Sequence, residues 1–431
     1  MAALYPNSGI CRQSPFRILN VKCNGMQELS VKRRYRIDSI DVLRGLVMVI
    51  MALDHVRDFF HRVVVEGGDE LATGPTDLDS TTPALFFTRW ITHFCAPIFV
   101  FLAGTSGYLL GFKKTKKELS SFLIKRGLWL VVVEVGIITL GWTFNPFYNV
   151  IILQVIWAIG ISFFILGILI YLPFKAILTI GLIIVFGHNL LDYPGISAGL
   201  KGSLISDLLY FSDFSVYNID KDHLFLIVYS FLPWTGVMLL GYCFGRLFSS
   251  GVNAAWRKKI LWQMGAGLLL LFILLRLINK YGDPVPWSVQ PRGDVFTFLS
   301  FINVNKYPPS LQFLCLTIGG GMLLLSLLEE RKNKTTDFFR IYGRVPMFYY
   351  ILHFYLIHLL VVIFFYAQGY SGSQIVTPNN PFLFRPSDFG FNLWGVYAVW
   401  VSVVLILFPL CKKYDRYKSL HVHHKWWLGY L

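Results

Sequence analysis

Residues Ile40–Arg62 read IDVLRGLVMVIMALDHVRDFFHR, an apolar run of membrane-spanning length that carries Asp41, Arg44, Asp54 and His55. Hydrocarbon is hostile to such groups. A charged side chain at the centre of a bilayer helix costs about 2.5–3.5 kcal/mol on insertion scales, so polar residues there turn toward a bundle interior or a wet cavity. Arg44 and His55 lie eleven positions apart. On an α-helix that is about 1100° of rotation and about 16 Å of rise, which places them on one face. Asp41, Met48, Met51 and Asp58 continue the stripe. The stretch therefore predicts a helix of a membrane bundle with one side on a buried polar site. The simpler reading of the same residues is an Asp41–Arg44 ion pair at the helix start, with His55 in the membrane interface.

The rest of the 431-residue chain suits that class, since 55% of it is hydrophobic and 17% aromatic, a composition too apolar for a soluble protein. Membrane-length runs fall at 39–60, 85–112, 121–143, 149–171, 174–191, 223–248, 258–280, 308–328, 341–366 and 391–412. They predict an all-α, polytopic bundle of about ten transmembrane helices. The net charge of +15 does not imply a nucleic-acid partner, because its basic residues gather in particular connections: Lys32–Arg36, Lys113–Lys117, Arg257–Lys259, Arg331–Lys334 and Lys412–Lys418. With an even helix count all of these fall on one side, which the positive-inside rule makes cytoplasmic together with both termini. The acidic residues Glu66, Asp69, Glu70, Asp77 and Asp79 fall on the other side. Domain boundaries follow as an amino-terminal tail over 1–35, a transmembrane domain over 36–413 and a carboxy-terminal tail over 414–431. Six scattered cysteines without a CxxC pair imply neither a disulfide framework nor a metal site.

Other intramembrane polar residues add candidates. His93, entering from the side opposite the termini, reaches a depth similar to His55, and two imidazoles at one level can share proton transfer near neutrality. A packed, hydrogen-bonded histidine is the equal alternative. Glu134 sits within LVVVEVGII, where a carboxylate must be protonated or paired. It either balances Arg44 or orients a histidine. Gln154 suits an interhelical hydrogen bond or a substrate contact. His353 and His358, five apart and about 140° around a helix, do not form a zinc pair, and one of them can face the cavity. Lys306 stands at a helix mouth, where it either attracts an anionic group or snorkels.

The motifs SIDVLRGLVMVIMALDH, ITHFCAPIFVFLAGTS, NKYPPSLQFL, YGRVPMFYYILHFYLIH and KWWLGYL together resemble bacterial members of the heparan-alpha-glucosaminide N-acetyltransferase catalytic-domain family, within the integral-membrane acyltransferases. The resemblance spans 36–431. It implies transfer of an acyl group, commonly acetyl from cytoplasmic acetyl-CoA as co-substrate, to an amine or hydroxyl of a sugar or glycan across the membrane. Arg44, Arg126 and Arg344 are then candidates for the CoA phosphates. His55, His93 and Glu134 are candidates for catalysis, and Asp54, Gln154, Lys306, His353 and His358 for substrate binding. The lysosomal member has asparagine in the place of His55, and its proposed histidine falls where this chain has Thr81, Thr82 and Pro83, so the catalytic histidine is not carried over. The expected location is the bacterial inner membrane and the expected partners are lipid and a glycan, with a homo-oligomer compatible. A proton-coupled transporter of a polar solute is the competing expectation.

Overall fold

The structure, a computed structural model, describes residues 37–62, 75–377, 380–421 and 424–429. The amino-terminal tail with its Lys32–Arg36 cluster, Cys11, Cys23, Glu66, Asp69 and Glu70 lie outside the described residues. Helix α1, Asp38–Phe60, has Asp38 and Asp41 in its first turn and Arg57 in its last, the placement that the helix dipole favours. Its first half lies against a helix from near the other end of the chain. A Cβ added to Gly45 would stand 1.7 Å from the Phe339 carbonyl oxygen, and one added to Gly343 would stand 1.8 Å from that of Asp41. Two backbones approach this closely only over small residues, the usual packing device of membrane helices.

The second apolar run is broken. Thr82 caps α2, Pro83–Thr92; the chain turns at His93–Phe94 and resumes as α3, Cys95–Leu110. The third starts on a Thr115–Glu118 capping box as α4, Lys116–Val132, widens into a π-helical turn over Val133–Ile138 and closes as α5, Thr139–Thr143.

The expected helix over 149–171 is the main departure from an all-α chain. Val150–Leu153 is a strand, β1, and the helix α6 runs only from Val155 to Leu169, with Gln154 as its cap residue. β1 pairs in parallel with β3, Leu224–Ile227, which pairs antiparallel with β2, Ser215–Asn218. The β-branched run Val150-Ile151-Ile152 suits a strand once Leu224–Ile227 supplies its ladder.

The remaining elements are α7 (Phe174–Gly187), α8 (Leu232–Phe244), α9 (Ala254–Ile278), α10 (Asp294–Ile302), α11 (Leu311–Leu328), α12 (Lys334–Arg344), α13 (Pro346–Ala367) and α14 (Leu393–His421). α14 passes straight through the expected boundary at 413. Each expected membrane run thus carries a helix, and among the described residues six helices are long and apolar enough to cross a membrane. α1 packs against α12, α13, α14 and α3, which makes it the axis around which the site is built.

Candidate functional site

A cavity of about 130 Å³ lies along the second half of α1, lined there by Val47, Met51, Asp54, His55, Arg57 and Asp58. Opposite them stand Arg89 and Thr92 from α2, Gln154 from the β1–α6 junction, Lys306 and Tyr307 from the α10–α11 connection, and Arg385. Of the expected site residues, the structure brings together Asp54, His55, Gln154 and Lys306. It also adds residues from segments far apart in the chain.

His55 is 8% exposed and boxed by Phe354, Trp142 and Tyr350, whose ring centroids lie 4.3, 5.3 and 6.3 Å away. Its Nδ1 lies 2.6 Å from Nε2 of the fully buried His353. The proton positions follow from what His353 touches on its other side. Its Nδ1 is 3.2 Å from the Tyr349 carbonyl oxygen, which can only accept, so Nδ1 carries the hydrogen and Nε2 the lone pair. His55 therefore donates from Nδ1, and its Nε2 is left as the basic nitrogen.

Asp54 is held by two cations: its Oδ1 lies 3.1 Å from Arg57 Nη2 and its Oδ2 lies 3.6 Å from Lys306 Nζ. Arg57 Nη2 also donates to Asp58 at 2.9 Å. Lys306 owes its position to a buried hub in the connection before it. Arg276, 1% exposed, donates to the carbonyls of Val285, Ser300, Phe301 and Asn303 and to the Gln312 side chain. Asp283 accepts from the Asn305 backbone amide at 2.9 Å and from the Ser310 hydroxyl at 2.7 Å. Together these fix the turn on both sides of Lys306.

Other expectations are corrected. His93 does not line the cavity: the break at His93–Phe94 sets its ring against Phe313 of α11 at 5.6 Å, behind the cavity wall yet within electrostatic reach of Asp54 and Lys306. Glu134 neither balances Arg44 nor orients a histidine; it accepts from the Trp157 backbone amide at 2.9 Å. A carboxylate there satisfies the donors at the amino end of α6 and so braces the junction that presents Gln154. Neither His353 nor His358 lines the cavity. His358 stacks on Phe144 at 3.8 Å and meets the Gly141 and Leu383 carbonyls at 3.1 Å each, as a packing histidine does.

Arg44, Arg126 and Arg344 do not converge on the cavity either. Arg44 bonds Asp41 at 3.1 Å, Ser106 at 2.8 Å and the Gly343 carbonyl at 3.2 Å, so the local ion pair read at the helix start is present. Arg344 pairs with Asp415 at 3.1 Å, and Arg126 lies 5.8 Å from the Phe163 ring.

Sequence reasoning missed Arg385, Arg89 and the role of Arg57. One signal was available. In the expected ten-helix topology, Arg89 and Arg385 fall at or near apolar helix ends on the side opposite the basic clusters, a placement the positive-inside rule disfavours.

Residues 36–274 match the family described as heparan-alpha-glucosaminide N-acetyltransferase, catalytic. The chain belongs to that family. Family membership and the apolar helices make it a multi-pass membrane protein of an acetyltransferase family. The matched stretch of the heparan-alpha-glucosaminide N-acetyltransferase family contains Asp54, His55, Arg57, Arg89 and Gln154, whereas Lys306 and Arg385 line the cavity from beyond it and His353 backs His55 from outside the lining. A second similarity is partial: 148 residues are 30% identical to one of the subunits of NADH-quinone oxidoreductase from Deinococcus radiodurans, spanning 31% of this chain and 36% of that protein.

Proposed function

We propose that this protein transfers an acyl group, acetyl in the first instance, from cytoplasmic acyl-CoA to an amine or hydroxyl of a sugar or glycan on the far side of the membrane. The reading takes about ten crossings with both termini cytoplasmic. Within it, His55 is the general base. The observation that carries it is the buried His55–His353 pair, which leaves His55 Nε2 as the basic nitrogen of a side chain that lines the cavity.

In the proposed step, the acceptor N–H or O–H gives its proton to Nε2 as its heteroatom attacks the thioester carbonyl. The carbon–sulfur bond then breaks, and the CoA thiolate takes a proton from the imidazolium. Lys306, held by Asp54, supplies positive charge within electrostatic reach of His55, as stabilisation of a developing oxyanion requires. The cavity's 130 Å³ suits the reacting groups and not a nucleotide, so the CoA body lies outside it. Arg44, Arg126 and Arg344 would meet CoA phosphates only by exchanging their present partners.

The test is purified protein in lipid, given acetyl-CoA and an envelope glycan fraction. Free CoA should appear in proportion to acylated acceptor, and His55→Ala should lower turnover by about 10²–10⁴-fold. Absence of turnover together with proton-coupled solute uptake into vesicles would replace this reading with a transporter.

A further inference from the structure

Four cationic side chains line the cavity, Arg57, Arg89, Lys306 and Arg385, against two carboxylates, Asp54 and Asp58. Both carboxylates are engaged with Arg57, and Asp54 with Lys306 as well. Arg385 is different: the Asp58 carboxylate is within electrostatic reach of it but gives it no side-chain hydrogen bond. Arg385 is 1% exposed and reaches the cavity because the connection before α14 folds over the end of α1. Phe391 donates its backbone N–H to the Phe60 carbonyl at 2.6 Å, and Leu383 donates to Thr143 at 3.1 Å. One nitrogen, Nη2, donates to the Asp58 backbone carbonyl. Among the described residues, Nε and Nη1 make no hydrogen bond. The Phe59 and Phe382 rings lie 5.2 and 4.9 Å from the guanidinium and hold its plane without satisfying those donors.

A buried cation with unused donors is costly unless an anion completes it. The guanidinium edge presents a fork that fits two oxygens of a carboxylate, sulfate or phosphate. We infer that Arg385 anchors an oxyanion carried by the acceptor, so that the acceptor is an acidic sugar whose charged group lies beside the amine or hydroxyl that is acylated. This inference rests on the acyltransferase reading above. The acceptor, and not the donor, is its source because Arg385 contacts α1 at Asp58, fourteen residues from Arg44, about 21 Å along the helix from the end assigned to CoA entry.

The test uses full-length protein in phosphatidylcholine nanodiscs, titrated with sodium glucuronate, glucose and adenosine 3′,5′-bisphosphate at constant ionic strength. Glucuronate should bind about tenfold or more tightly than glucose and should compete with the acceptor. Arg385→Gln should remove that preference. Arg385→Lys, which keeps the charge and guards against misfolding of the Gln variant, should weaken glucuronate by about tenfold because the fork is lost. Equal binding of glucuronate and glucose, or unchanged glucuronate binding in Arg385→Lys, would overturn the inference. So would an Arg385 dependence confined to the bisphosphate, which would assign the anion to the donor. If wild-type protein releases no CoA with any acceptor yet binds glucuronate through Arg385, the acyltransferase reading fails and the anion site stands.

Discussion

Replacing His353 tests the proton arrangement directly, because His353 touches His55 without lining the cavity. In His353→Leu the His55 Nδ1–H loses its 2.6 Å acceptor in a pocket where His55 is 8% exposed. An unsatisfied buried donor costs about 1–3 kcal/mol. If that loss falls on the tautomer and orientation that the transition state needs, kcat drops by about 5- to 150-fold at 1.36 kcal/mol per decade. The assay is CoA release, with kcat and KM resolved separately. KM for acetyl-CoA should stay within about twofold, since no cavity surface changes. His353→Gln should recover part of kcat, because its side-chain oxygen can accept the same hydrogen bond. A His353→Leu protein that is folded and keeps wild-type kcat would refute the positioning role, as would a change confined to KM.

Three further outcomes follow from the same geometry. Gly343→Ala forces a carbon to within 1.8 Å of the Asp41 carbonyl oxygen, so α1 and α12 must separate; thermal unfolding in detergent should show a loss of about 1–3 kcal/mol. Arg276→Met strips four carbonyls and Asp283 of a buried cation, and should cost about 3–5 kcal/mol. Asp283→Asn in the same protein should return part of that loss, as a double-mutant cycle would register. In the β2–β3 turn, the hydrogen bond from His223 to Asp220 at 2.9 Å raises the His223 pKa. Any stability it adds is full below about pH 6.5 and fades as the pH rises past the raised value. NMR titration should find the His223 pKa lower in Asp220→Asn.

The places where local pattern and tertiary structure part have a common physical origin. An apolar run of four residues has no periodicity that separates strand from helix, so Val150–Leu153 is legible as β1 only once Leu224–Ile227 lies beside it. Glu134 reads as a site residue because a carboxylate in hydrocarbon demands a partner; that partner is a backbone amide, a group that no sequence pattern marks. His93 and His55 share a depth, but depth fixes only one coordinate. The break after Thr92 sets His93 against Phe313 and outside the cavity lining, while His353, from α13, lies beside His55.

The sequence by itself determined that this is a membrane helix bundle, that α1 carries a polar stripe, and that Asp54, His55, Gln154 and Lys306 are worth watching. Those conclusions depend on the length of apolar runs and on helical periodicity, which are local properties. Only the tertiary structure decided which groups meet. The His55–His353 contact spans 298 residues and the Arg385–Asp58 contact 327. Both depend on how helices rotate about their close crossings and on how a long connection folds over a helix end. A buried donor finds its acceptor through that packing, and spacing along the chain holds no record of it.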